Sequence, residues 1–330
     1  MSFLKHAPRF DSESAVVLAA ELYGLSCVAK PLPSERDQNF LLTTAANEKY
    51  ILKIANALET RSLLDAQNGV LEHLAARVTF TPRLIRAKSG APIEKVQSGT
   101  VSHQIRLISY IDGQPLACAK HSSKLLFDLG KKMGRLTQSL VDFDHVALHR
   151  QFHWDLASGL GILSQHSNLL SAEVAVQLDN FARRFQTSVG SRLTRLPRSI
   201  IHGDANDYNV IVKGNEVVGL IDFGDMVHSY RVGELSITLA YLVLDQADPL
   251  EVAKQVVNGY LDEWQLNGEE FDCLWWFVLL RLFMSVCLAA YQQRQEPENQ
   301  YLDISQSAIR RSLPGLLAIE PEVALENFKR

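Results

Sequence analysis

The sequence predicts an α+β fold in two parts, a small β-rich N-lobe followed by a larger, mostly helical C-lobe. Three observations carry this reading. Short β-branched and aromatic runs crowd residues 28–110, helical periodicities dominate after Asp112-Gly113, and one candidate strand pair interrupts the helical part. The join falls near 109–115, so the lobes are expected over 1–110 and 111–330. A chain of 330 residues is long enough for one large or two medium cores.

Taken in order, residues 11–23 carry helical apolar spacing through Val16, Val17, Ala20 and Leu22, with Asp11 or Ser12 as the cap. Strands are expected over 28–32, 38–43 and 49–54, punctuated by Pro31, Pro33 and Ala46-Asn47. Helical spacing returns over 59–76, and strands follow near 84–87 and 103–110. The second part reads as helices over 122–140, 172–189, 234–244, 249–263, 269–293 and 304–317, with Ser122 and Ser171 as N-caps. Its strand pair, 209–213 and 217–221, is joined by Gly214-Asn215 as in a tight hairpin.

Composition narrows the function. With 37 acidic against 33 basic residues and a net charge of −4, the chain lacks the positive field that a nucleic-acid partner requires. Cys27, Cys118, Cys273 and Cys287 are scattered without a C-x-x-C pair. That spacing fits neither a zinc site nor a disulfide framework, and free thiols in a reducing cytoplasm are expected. Lys5, His6, Pro8 and Arg9 break the apolar character of the amino-terminal segment, which lacks a signal-peptide core. The most apolar stretch, 274–290, carries Arg281 in its middle and is short for a membrane span, so it reads as a buried core helix.

The chemistry concentrates in Ile200-Ile201-His202-Gly203-Asp204-Ala205-Asn206-Asp207-Tyr208-Asn209, which reads H-x-D-x-x-x-x-N before a β-branched strand. This spacing suits a phosphoryl-transfer loop. Asp204 orients an attacking hydroxyl and accepts its proton, and Asn209, five residues on, holds metal at the start of the strand. Downstream, Ile221-Asp222-Phe223-Gly224-Asp225 places Asp222 at a strand end, as a D-F-G element does. Asn209 and Asp222 offer two hard oxygen ligands suited to Mg²⁺, with the remaining ligands coming from phosphate and water. Either motif alone is a turn or a capped strand end; their order and hairpin spacing make the pair informative.

The N-lobe should supply a lysine to the phosphates. Lys53 in Tyr50-Ile51-Leu52-Lys53-Ile54 is the candidate, a solvated strand lysine being the alternative. Its carboxylate partner on the next helix is expected to be Asp65, ahead of Glu72 and the neutral Gln67. No glycine-rich turn covers the phosphates, so Ser34 and the amides near Gln38 and Asn39 stand as donors, against an ordinary polar turn.

At these residues the chain resembles the aminoglycoside phosphotransferase and choline kinase superfamily, whose core motif is H-G-D-x-x-x-x-N followed by I-D-F/W. It departs from the usual loop in having Asn206 where that superfamily has histidine. A finer resemblance is to the hydroxylysine kinases, through Pro31-Leu32-Pro33-Ser34, Asp37-Gln38-Asn39-Phe40, Asn206-Asp207-x-Asn209 and Ile221-Asp222-Phe223-Gly224-Asp225-Met226 leading to Glu234-Leu235. The resemblance implies a protein-kinase-like fold, Asp204 as base, Asn209 and Asp222 as Mg²⁺ ligands and Lys53 as phosphate lysine. It also implies ATP or GTP as donor and a hinge over Ser109-Tyr110-Ile111 that binds the purine through its backbone. The acceptor it implies is a small amino alcohol or hydroxy amino acid, with 5-hydroxylysine first and homoserine, ethanolamine, choline or an aminoglycoside as alternatives. An inactive nucleotide-binding module is the rival from another class. A cationic acceptor needs carboxylates near the loop, which Asp207 and Asp225 can provide. Arg231 is either a fork for a substrate carboxylate or a surface arginine, and Glu234 reads as structural.

Overall fold

A computed structural model describes residues 7–34, 36–295 and 305–329. The expected helix start at Ile304, and Lys5 and His6 of the amino-terminal segment, lie outside the described residues. The chain divides into two compact units, Met1–Asp112 and Gly113–Arg330.

Unit 1 is built on an antiparallel sheet of β1 (Cys27–Leu32), β2 (Gln38–Thr44), β3 (Lys49–Ile54), β4 (Leu84–Ile85), β5 (Glu94–Ser98) and β6 (Val101–Ser109). The spatial order is β1-β2-β3-β6-β4, with β5 paired to β6. Asn47 makes the β2–β3 turn at a φ of 62°, a left-handed position that asparagine tolerates. Helix α1 (Ser12–Leu18) starts where Asp11 accepts the Ser14 N–H, at 2.8 Å. It continues as a π-turn to Tyr23 and stops at Gly24. Ala15 and Ala19 pack on alternate strand residues, Phe40, Leu42, Leu52, Ile54, Ile105 and Leu107. Period-two side-chain alternation therefore sends Asn39, Lys53 and Arg106 to the opposite face. Helix α2 (Arg61–Ala75), capped by Thr60, reaches that face. Strand β5 is an element the sequence reading did not include.

Unit 2 contains α3 (Ser123–Leu140), α4 (Gly159–His166), α5 (Ala172–Val189), α6 (Gly233–Leu242), α7 (Pro249–Glu263), α8 (Gly268–Gln295), α9 (Gln306–Leu317) and α10 (Pro321–Phe328). Helices α4 and α10 were not foreseen. Helix α8 is long and apolar enough to cross a membrane, but 94% of that stretch is buried among its neighbours. Rings of Phe181, Phe185, Trp276, Phe277 and Phe283 cluster along it.

The expectation of a single strand pair in this part is corrected. Strands β9 (Val210–Lys213) and β10 (Glu216–Leu220) form the expected hairpin, and β7 (Gln114–Pro115) adds a third strand to it. A second ladder pairs β8 (Arg198–Ile201) with β11 (Val227–Tyr230). These four-residue strands are too short for period-two alternation to reveal them.

Candidate active site

The two ladders bring the sequence motifs together. Loop 202–209 leaves β8 and enters β9, while loop 221–226 leaves β10 and enters β11. Because Ile201 pairs with Val227 and Val210 with Leu220, both loops begin and end at neighbouring positions. His202 ties them. Its Nε2 donates to the Ile221 carbonyl at 3.0 Å and its Nδ1 accepts the Asp204 N–H at 3.3 Å, so the ring is neutral with its proton on Nε2. Burial agrees, pushing its pKa down to about 4. Its ring stands edge-on to Phe223, 4.7 Å between centroids. Gly203 has a φ of 81°, and a Cβ there would lie 2.8 Å from the Asp225 carbonyl oxygen. Only glycine fits so close an approach at that φ.

Asp204 is held from two sides. Its Oδ1 accepts from Arg281 Nη2 at 2.9 Å, and its Oδ2 accepts from Asn206 Nδ2 at 3.0 Å and Asn209 Nδ2 at 2.8 Å. Burial pushes the Asp204 carboxyl up, the Arg281 guanidinium pulls it down, and the Asp225 charge adds to the rise. Asn206 also accepts the N–H groups of Tyr208 and Asn209, shaping the loop as an Asx turn. Glu234 proves to be a buried clamp. Its Oε2 accepts the His202 N–H at 2.6 Å, with the Gly203 N–H also directed at the carboxylate. Its other oxygen is buried without a partner, and burial pushes the carboxyl up to about 7.

The loop residues offer a donor set for a hard cation. The Asn209 amide nitrogen is committed to Asp204, which leaves Oδ1 as its ligating atom. Asp222 sits at a φ of 63°, a left-handed position costly for a non-glycine residue and typical of functional sites. Arg150 steadies the same turn by donating to the carbonyls of Gly224 and Met226, at 2.9 and 3.0 Å. Among the described residues no three His, Cys, Asp or Glu side chains gather as a metal cage. One carboxylate and one amide oxygen, completed by water and phosphate, fit Mg²⁺ without such a cage.

The acceptor candidates divide. Asp225 acts electrostatically on Asp204, whereas Asp207 acts on Tyr241 and is itself acted on by His121. Burial raises the Asp207 carboxyl. Arg231 is withdrawn from the substrate role. Its Nε and Nη2 bind both oxygens of the fully buried Glu270, at 2.9 and 3.0 Å, and its guanidinium lies 4.9 Å from the Trp264 ring centre.

Unit 1 holds the remaining candidates. Asn39, Lys53 and Arg106 are successive cross-strand partners on β2, β3 and β6, and Oδ1 of Asn39 is buried without a partner. Ser34 is exposed in the β1–β2 loop. Asp65, expected to hold Lys53, instead gives its carboxylate to Arg61 at 2.9 Å, one helical turn earlier. Glu72 pairs with Arg86. Gln67 and Asn68 reach the face that carries Lys53, where both bind Arg106. Ser109 has its N–H and hydroxyl committed within unit 1. Its N–H donates to the Arg83 carbonyl at 2.8 Å and its hydroxyl accepts the Arg83 N–H at 2.8 Å. The Tyr110 N–H is taken by the Lys49 carbonyl at 3.3 Å.

Arg281 and Arg150 were missed as site residues, while His202 was read only as part of the motif and Glu234 only as structural. One signal was available: a lone arginine inside an apolar helix is unfavourable unless paired, which makes Arg281 conspicuous. The clamp role of Glu234 offered none, because a glutamate in a first helical turn is ordinary.

Known proteins resemble this chain in sequence and in fold. The model of a phosphotransferase enzyme family matches residues 28–269. The hydroxylysine kinase of Danio rerio is 29% identical, covering 96% of this chain and 94% of its own. The hydroxylysine kinase of Xenopus laevis is 31% identical, covering 90% and 87%. An amicoumacin kinase solved with AMP-PNP, Ca²⁺ and Ami superposes with a TM-score of 0.71 at 15% identity, covering 95% of this chain and 97% of its own. That likeness establishes a kinase-like α+β fold.

Proposed function

The chain belongs to the phosphotransferase enzyme family, and for this small-molecule kinase we propose a small cationic hydroxy amino acid or amino alcohol as acceptor, 5-hydroxylysine before others. The observation that carries the reading is the Asp204 carboxylate, held in place by Arg281 and Asn209 with the Asp225 charge acting on it, and followed three residues later in the same loop by Asp207. A protonated amine needs such a partner, since a cation left unpaired in a partly buried site is costly. The hydroxylysine kinases matched over nearly their whole length support the first choice of acceptor.

In this reading the acceptor hydroxyl oxygen attacks the γ-phosphorus of ATP or GTP. A new P–O bond forms, the bond to the β-phosphate oxygen breaks, and a nucleoside diphosphate leaves. Asp204 accepts the hydroxyl proton. Its pairing with Arg281 suits a transfer in which alignment matters more than base strength. Asn209 Oδ1 and Asp222 would hold Mg²⁺, which would supply charge neutralisation at the phosphates. Lys53 contributes a further positive charge to the phosphates, Asn39 and Ser34 are their polar donors, and the backbone at Ile111 meets the purine. The neutral Gln67 takes the helix position assigned to Asp65. A cytoplasmic setting is part of this reading, and the widely scattered cysteines support it.

The test is acceptor-dependent consumption of ATP and GTP with 5-hydroxylysine, homoserine, ethanolamine and an aminoglycoside. Hydroxylysine is expected to give the highest kcat/KM. A strong preference for ethanolamine or the aminoglycoside would overturn the acceptor while leaving the kinase assignment intact.

A further inference from the structure

We propose that Arg281 is a positioning residue for phosphoryl transfer, a fixed guanidinium that sets the plane of the Asp204 carboxylate toward the acceptor hydroxyl. The inference rests on Asp204 being the base. Arg281 lies halfway along α8 with 2% of its side chain exposed. Each of its three nitrogens has a different partner: Nε donates to the Tyr241 hydroxyl at 3.1 Å, Nη1 to the Trp154 carbonyl at 3.0 Å, and Nη2 to Asp204 Oδ1 at 2.9 Å. The guanidinium also lies against the Trp154 ring, 4.5 Å from its centre, and within 5.7 Å of that of Tyr241.

These contacts come from three separate elements. Trp154 lies in the loop between α3 and α4, Tyr241 in α6, and Arg281 in α8. A planar fork gripped at three points cannot turn, so the one donor it offers Asp204 has a fixed direction. The other carboxylate oxygen is held by the neutral amides of Asn206 and Asn209, which belong to the same loop and would move with it. Arg281 thus references the base to the helical core rather than to its own loop. Stability alone gives little reason for the residue, because a buried ion pair is commonly matched by apolar side chains of equal volume. A base misplaced by about an ångström loses roughly a hundredfold in rate.

The test combines Arg281→Gln and Arg281→Lys with Asp204→Asn. Arg281→Gln is expected to lower kcat by about 10²-fold while the nucleotide KM stays within about twofold. Arg281→Lys keeps the charge but not the fork, and should recover no more than about tenfold of that loss. In the Asp204→Asn background, adding Arg281→Gln should change residual turnover by less than about threefold, because the positioned group is already gone. Independent structural damage would instead multiply through both backgrounds. Should Arg281→Gln fail to fold by circular dichroism, Tyr241→Phe removes only the Nε acceptor and should cost several-fold in kcat, with the same cancellation. Folded variants with wild-type kcat, or losses that multiply with Asp204→Asn, overturn the inference. Normal turnover in Asp204→Asn alone would remove the base itself, whereas an inactive Asp204→Asn beside a fully active Arg281→Gln would remove only the role of Arg281.

Discussion

Replacing Arg231 by leucine separates a structural arginine from one that reads substrate. Its partner Glu270 is wholly buried and uses both oxygens, and Oε2 additionally accepts the Asn267 N–H at 3.0 Å. Asn267 Oδ1 in turn takes the Glu270 N–H at 2.9 Å, a reciprocal capping box that opens α8. Arg231→Leu therefore strands a carboxylate that has no exposure to water, a change that costs about 3–5 kcal/mol. In a body of this size each kcal/mol shifts the melting point by about 2–4 °C, so a fall of at least roughly 6 °C is expected. The double variant Arg231→Leu, Glu270→Leu removes both charges and should regain most of that loss, short of about 1 kcal/mol for the cap. Thermal unfolding by circular dichroism at pH 7 measures the first effect, and steady-state kinetics well below the melting point measure the second. A wild-type melting point together with an acceptor KM raised about tenfold would return Arg231 to the substrate and refute the reasoning.

Asp222→Ala should abolish divalent-cation-dependent nucleotide binding with the fold intact; calorimetric titration curves like those of the wild type would remove Asp222 from the metal site. Glu234 titrates near 7 in the folded state against 4.5 unfolded. The native protein then holds a proton that the unfolded chain has released between those values, so this group's contribution to stability declines as pH rises from 4.5 to 7, by about 3 kcal/mol in all. Denaturation curves of Glu234→Gln should lack that decline, and parallel pH profiles for variant and wild type would sink the assignment. Gly203→Ala drives a Cβ toward the Asp225 carbonyl at an unfavourable φ. Both melting point and kcat should fall, and unchanged turnover would show that the two loops need not approach so closely.

What the sequence revealed follows from the range of each interaction. The H-G-D and I-D-F-G loops were legible because their chemistry lies within a few consecutive residues, and the helices because their apolar spacing is long and regular. The roles of Arg281 and Glu234 depend on partners 77 and 32 residues away, a relation that only the fold creates. Arg231 and Asp65 illustrate the reverse error. Each carries the charge the site calls for, yet Arg231 is bound to the buried Glu270 and Asp65 to Arg61. Ser109 shows the same local competition, since its N–H and hydroxyl close a contact with Arg83 inside unit 1. Strands β8 and β11 escaped notice because four residues carry too little pattern, though they set the two loops side by side.

Helix α8 has a further consequence, felt before the protein is folded. Its apolar run is hidden only once its helical neighbours have assembled, so a nascent or unfolding chain displays a long sticky segment to other chains. Arg281 interrupts that run near its midpoint, where a charge acts as a gatekeeper against aggregation. One side chain thus serves two states of the molecule, guarding solubility in the open chain and then directing the base in the closed one. An apolar replacement at this position should reduce soluble yield on refolding from denaturant, over and above any loss of turnover.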